Sequence, residues 1–167
     1  MIRIVIAEDQ ELLLGVIGSL LNLEEDMEVV GQARDGKEAL TLVHQLKPDL
    51  CIMDIEMPVM SGLEAANALR PVCKVIVLTT FVRNGNFARA KNAGVGGYLL
   101  KDSPSKELIN SIRSIMDGKR IFSPELIEDD LSGEQFTNEV SNPQRNKNGM
   151  VRGYFSTIIK KMKVPTG

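Results

Sequence analysis

The chain has no tryptophan, and its aromatic side chains amount to two tyrosines and five phenylalanines in 167 residues. A site that sandwiches a flavin ring between aromatic faces has little to build on. Histidine is scarcer still: His44 is the only one, set among polar residues late in a helical stretch, and it reads as a surface residue. Cysteine is limited to Cys51 and Cys73. One histidine and two cysteines cannot supply the four ligands of a Cys/His zinc site, and a Ser-His or Cys-His nucleophile has almost no material. The cysteines are not spaced C-x-x-C and lie in or beside apolar runs, so they read as reduced, buried thiols acting as small hydrophobes. No apolar run approaches the ~20 residues of a membrane span, and the opening Met-Ile-Arg-Ile-Val-Ile leads straight into a strand without a leader pattern. A cytoplasmic protein is expected. An excess of positive charge is also missing: 20 Lys+Arg against 22 Asp+Glu gives a net charge of -2, so the chain as a whole is no polycation for nucleic acid. Any chemistry must run on carboxylates.

What the chain does have is alternation. Short apolar runs at Ile2–Ile6, Met27–Val30, Leu50–Met53, Val75–Leu78 and Tyr98–Leu100 are rich in Val, Ile and Leu and nearly free of charge, the pattern of strands buried on both faces. Helical periodicities separate them. Leu13, Val16, Ile17, Leu20 and Leu21 make one stripe on a helix from Gln10 to Leu23. Asp35 with Glu38, and Ser61 with Glu64, predict capped starts for the second and third helices, which Pro48 and Pro71 close. A weaker fourth helix spans Asn84 to Asn92, and Ser103-Pro104 opens a fifth with the proline at its first position. Strands alternating with helices predict an α/β fold with a doubly wound, five-stranded parallel sheet. In such sheets function gathers at the carboxyl ends of the strands.

The residues that follow each apolar run are chemically coherent. Glu8 and Asp9 follow the first strand, Asp54 the third, Thr79-Thr80 end the fourth, and Lys101-Asp102 end the fifth. Clustered carboxylates repel one another and favour a divalent cation; Mg²⁺ suits an all-oxygen site that works on phosphate. An ammonium and a hydroxyl opposite it are what a transferred phosphoryl group needs.

The pair Glu8-Asp9, the segment Met53-Asp54-Ile55-Glu56-Met57-Pro58 with Gly62 beyond it, Thr79, and Gly97-Tyr98-Leu99-Leu100-Lys101 together resemble the receiver domain of two-component response regulators. Leu-Thr-Thr-Phe and Leu-Leu-Lys-Asp-Ser-Pro resemble the NarL/FixJ (LuxR-type) branch, and within it the DesR-type regulators. The resemblance covers residues 1–122 and implies a CheY-like, flavodoxin-like sheet of strand order 2-1-3-4-5. It also implies Asp54 as phosphoacceptor, with Mg²⁺ held by Asp9, Asp54 and the backbone carbonyl of Glu56, and by Glu8 through a water. Lys101 would pair with the phosphoryl oxygens, Thr79 would bond one of them, and Tyr98 would be the aromatic switch that follows Thr79. Glu56 and Phe81 fall where the family tunes hydrolysis; a bulky Phe81 and an acid at 56 predict a persistent phosphoryl group. The implied partners are a sensor histidine kinase and, after phosphorylation, a second copy through helices one and five. The implied chemistry is self-phosphorylation and slow autodephosphorylation rather than turnover.

Beyond Phe122 the texture changes. Residues 123–149 read as a polar linker, and residues 150–167 turn basic, with Val151, Phe155, Ile158, Ile159 and Met162 in a helical stripe. The last segment resembles the recognition helix of a LuxR-type helix-turn-helix, which would put Arg152, Lys160 and Lys161 against promoter DNA. The preceding helices of that module are absent, so three readings stay open: DNA contact, a loosely ordered basic tail left from a shortened effector domain, and a segment that docks on the receiver and caps its self-association face. A rival for the whole chain is a Mg²⁺-dependent phosphohydrolase working through an aspartyl phosphate, with Glu56 as acid/base. A flavin-binding domain is a third, lacking both a phosphate loop after the first strand and the aromatics.

Overall fold

The computed structural model describes residues 1–80, 83 and 85–127. Strands β1 (Ile2–Ala7), β2 (Met27–Ala33), β3 (Leu50–Asp54), β4 (Lys74–Thr79), β5 (Gly97–Leu100) and β6 (Ile121–Phe122) form one sheet in the order β2-β1-β3-β4-β5-β6. Every neighbouring pair is parallel. Between them run α1 (Glu11–Asn22), α2 (Gly36–Leu46), α3 (Gly62–Leu69), α4 (Asn86–Asn92) and α5 (Ser105–Met116).

Alternation along each strand divides the core in two. Ile4, Ile6, Leu50, Ile52, Ile76, Leu78 and Leu99 pack under α1 and α5, against Leu13, Ile17, Leu21, Leu108, Ile112 and Ile115. Val5, Ala7, Cys51, Met53, Val75 and Val77 face the other way, under α2, α3 and α4. Both sheet faces are therefore covered, which is why the strands read as unbroken apolar runs. Leu14 joins the buried side of α1, while Val16 and Leu20 sit only half-buried at its flank.

The helix starts follow local chemistry. Ser61 and Glu64 close a reciprocal capping box on α3: Ser61 Oγ accepts from the Glu64 amide at 3.2 Å and Glu64 Oε2 accepts from the Ser61 amide at 2.9 Å. Asp35 caps α2 through the Glu38 amide at 2.8 Å, but Glu38 bonds the amide of Arg34 rather than that of Asp35.

Four expectations need correction. The sheet has a sixth strand among the described residues; two residues, Ile121 and Phe122, are too few to show a period. Helix α4 begins at Asn86, behind Gly85 with its left-handed φ of 84°, and Asn84 lies outside the described residues. Pro104 precedes the first turn of α5 as its cap residue instead of occupying it. Cys73 is half-buried where Cys51 is fully buried, and both are free; burial raises both thiols, Cys73 to about 11. The packed chain also runs past Phe122. Residues 124–127 form a helical turn, Leu126 is 0% exposed in the core, and Ser123 Oγ accepts from the Leu100 amide at 3.3 Å. Among the described residues no helix is long and apolar enough to cross a membrane.

Candidate functional site

Glu8, Asp54, Thr79 and Lys101 lie at or just past the last rung of a strand. The Glu8 amide donates to the Ala33 carbonyl at 3.0 Å, just past β1. Asp54 ends β3 in register with Leu78, and the Ile55 amide continues the ladder to the Leu78 carbonyl at 3.2 Å. The Lys101 amide bonds the Thr79 carbonyl at 2.8 Å, fixing the turn after β5 to the end of β4. The parallel strands β1, β3, β4 and β5 thus deliver side chains up to 93 positions apart in sequence to one point: Lys101 Nζ lies 2.6 Å from Glu8 Oε2 and 3.1 Å from Asp54 Oδ2.

Glu8, Asp54, Thr79 and Lys101 are all buried, whereas Asp9 is exposed. Asp9, Asp54, Glu56, Thr79 and Lys101 line one cleft, whose rim carries Thr80. Thr79 is buried and Thr80 exposed, so the two adjacent hydroxyls occupy different environments. Burial raises the Glu8 carboxyl to about 7, against the opposing Lys101 ammonium and with a further push from Asp54. Burial also raises the Asp54 carboxyl, again opposed by Lys101.

Ligand oxygens of Glu8, Asp9 and Asp54 lie within 4.8 Å of one another. Fully ionised, three carboxylates and one ammonium leave two uncompensated negative charges in a partly desolvated cleft. An all-oxygen donor set with that charge fits a hard divalent cation such as Mg²⁺. The buried lysine serves both Glu8 and Asp54, so added negative charge on Asp54 would compete with Glu8 for the same ammonium.

The remaining candidates are dispersed. Tyr98 is 1% exposed, stacked at 6.4 Å on Phe87, which meets Phe122 edge-on at 5.5 Å. Its ring thus lies inside the fold, beside Phe87. The Glu56 side chain points to the rim, where Arg83 Nη2 meets its Oε1 at 2.8 Å; both side chains are more than half exposed. Phe81, Arg152, Lys160 and Lys161 lie outside the described residues.

Sequence reasoning missed two contributors. Arg83 gives no local signal, since its pairing with Glu56 depends on two loops meeting. Gly62 stood in the motif without a physical role. A β-carbon there would come within 2.0 Å of the Asp54 carbonyl oxygen, so the start of α3 presses directly on the backbone of the phosphoacceptor candidate.

Comparison with known proteins agrees with this geometry. Residues 4–113 match the response regulator receiver domain. The transcriptional regulatory protein DesR of Bacillus subtilis (strain 168) is 53% identical over 182 residues, covering 98% of this chain and 92% of the relative. YvfU of the same organism, also described as a transcriptional regulatory protein, is 48% identical over 182 residues, covering 97% and 91%. Both alignments are longer than the 167 residues of this chain, so at least 15 aligned positions of each relative face no residue here. Among solved structures, a LuxR-family two-component response regulator from Aurantimonas sp. SI85-9A1 superposes with a TM-score of 0.72 at 28% identity, covering 80% of this chain and 97% of that one.

Proposed function

The chain belongs to the response regulator receiver family, of the LuxR/NarL type, and from that premise we propose that Asp54 is the residue phosphorylated by a sensor histidine kinase. The observation that carries the assignment is the Lys101 ammonium shared between Asp54 at 3.1 Å and Glu8 at 2.6 Å in a buried cleft. In the transfer, an Asp54 carboxylate oxygen forms a bond to phosphorus while the phosphorus–nitrogen bond of the kinase phosphohistidine breaks, and the electron pair stays on the imidazole. Lys101 then faces more negative charge at Asp54 than at Glu8 and shifts toward the phosphoryl oxygens, while Thr79 donates its hydroxyl to one of them.

Asp9, Asp54 and the Glu56 backbone carbonyl would hold Mg²⁺, with Glu8 acting through a water. Bound there, the ion would offset the charge that gathers on the phosphoryl group. The change at Asp54 would favour self-association through α1 and α5, where Leu12 and Leu23 are exposed. The protein would work in the cytoplasm and take up one phosphoryl group per chain, not turn over substrate. The aspartyl-phosphate phosphohydrolase reading is not favoured, because the family match over residues 4–113 takes in every described residue of the site.

Transcriptional output is a second reading. Its support is that similarity to DesR extends over 98% of the chain; Arg152, Lys160 and Lys161 would then contact promoter phosphates, with gel-shift titration of the full chain as the check.

Incubation with acetyl phosphate and Mg²⁺ tests the main reading. One hydroxylamine-labile phosphoryl group per chain is expected, abolished by Asp54→Asn and by EDTA. Label that survives Asp54→Asn, or continuous phosphate release from phosphomonoesters, would overturn it.

A further inference from the structure

At the amino-terminal edge of the sheet, the pole opposite Asp54, a second cleft is cationic. Arg70 after α3, Lys74 at the start of β4, and Lys119 and Arg120 between α5 and β6 line it, against one acid, Asp49. Asp49 is already engaged, its Oδ2 accepting from the Arg3 amide at 2.8 Å. Arg120 donates to the Val95 carbonyl at 3.2 and 3.3 Å and lies 5.1 Å from the Phe122 ring centroid, contacts that orient it without neutralising it. Arg70, Lys74 and Lys119 are exposed and form no ion pair among the described residues. Elsewhere on the fold, Arg34, Arg83 and Arg113 each hold a carboxylate. Helix ends favour cations near their C-termini, which accounts for Arg70 but not for the convergence of three chain segments without a counter-charge.

The counter-charge is present in the same chain. After Ile127 come Glu128, Asp129, Asp130, Glu134 and Glu139, with no lysine or arginine before Arg145. Twelve extended residues, 128–139, reach about 40 Å, while a packed unit of this size has a radius of gyration of about 14 Å. The stretched segment therefore spans most of the molecule, Glu134 and Glu139 reaching farthest, and charge selects among the faces within reach. Tethering gives such a segment an effective concentration on the order of millimolar at its own surface.

We propose that residues 128–139 dock through their carboxylates into the cleft formed by Arg70, Lys74, Lys119 and Arg120 of the same molecule. The contact is electrostatic and screened by salt, since its charges are exposed and the Debye length shrinks from about 10 Å at 0.1 M to about 3 Å at 1 M. It ties the polar segment to the pole away from the phosphoacceptor.

Zero-length carbodiimide coupling of the full chain, with peptide mapping of the monomer band, tests this. Lys74 and Lys119 supply the amines, and Lys37, Lys91 and Lys106 serve as controls elsewhere on the surface. At 20 mM NaCl, amide links from the 128–139 acids to Lys74 and Lys119 are expected at least fivefold above those to the controls. They should fall at least threefold in 0.5 M NaCl and in Arg70→Glu, with circular dichroism confirming the fold. A second variant, Glu128→Gln/Asp129→Asn/Asp130→Asn, should lower the links from Glu134 and Glu139 similarly. Links spread evenly over all five lysines, links unaffected by salt and charge reversal, or links found only in a dimer band would each overturn the proposal; the last would mark a second copy as the occupant.

Discussion

At the scale of single residues, the site is governed by one ammonium placed between two acids of unequal burial. Glu8 is 1% exposed and Asp54 7%, so both carboxylates carry a desolvation cost that Lys101 only partly offsets. Glu8 titrates near 7 in the fold against 4.5 in an unfolded chain. Between those values the folded state binds more protons than the unfolded one, so stability is fully present below about 4.5 and is lost as pH rises through 7. The raised Asp54 carboxyl acts in the same direction. In magnesium-free buffer the unfolding free energy is therefore expected to fall from pH 5 to pH 8, by on the order of 2 kcal/mol. Glu8→Gln, which keeps the shape and removes the titrating group, should flatten most of that slope in urea titrations read at several pH values. An unchanged slope would show that Glu8 is not the group responsible.

At the scale of elements, the connection from β3 to α3 concentrates the constraints. The Met60 amide bonds the Pro58 carbonyl at 2.7 Å, closing a three-residue turn around Val59, whose φ is 68° and whose side chain is 79% exposed. A β-branched residue in that region is strained by about 1–3 kcal/mol. Val59→Gly removes the strain and gives back about 1 kcal/mol through the freer unfolded chain, so a net gain of about 0.5–1 kcal/mol, or a few degrees in Tm, is expected. Gly62, three residues on, behaves oppositely. Its β-carbon would meet the Asp54 carbonyl oxygen at 2.0 Å and the Asp54 carbonyl carbon at 2.8 Å, both of them backbone atoms. Gly62→Ala is expected to cost about 2–3 kcal/mol and to slow acetyl phosphate labelling, because the start of α3 and the end of β3 cannot both keep their places. What was legible in the sequence follows the same logic. The capping box at Ser61 and Glu64, the strand runs and the polar residues at their ends are local patterns, and the fold places them as read. The burial of Glu8, the pairing of Arg83 with Glu56 and the pressure of Gly62 on Asp54 depend on which distant segments meet, and no spacing records that.

At the scale of the whole molecule, the question is where the cooperative unit ends. The sequence turns polar after Phe122, where the sheet ends, yet the core and the hydrogen-bond ladder continue. β6 pairs Phe122 with Tyr98, the Ser123 amide donates to the Tyr98 carbonyl at 2.9 Å, and Ser123 Oγ caps the Leu100 amide at 3.3 Å. Leu126 then enters the core cluster that contains Tyr98 and Ala90, with Phe87 and Phe122 packed against it. One leucine among Ser, Pro and Glu gives no periodicity, which is why the boundary was not readable. The consequence is measurable. A fully buried leucine truncated to alanine costs about 2–4 kcal/mol, a large part of the 5–15 kcal/mol that a domain has in total. Leu126→Ala in the full chain is expected to lower stability by that amount and to leave the denaturant slope unchanged, since the surface exposed on unfolding is nearly the same. It should also loosen Tyr98, read as faster amide exchange at Leu99 and Leu100, because among the described residues β6 and Ser123 are what hold β5 at its outer edge. A loss under 1 kcal/mol would mean that the unit closes at Phe122 and that the last turn merely rests on it.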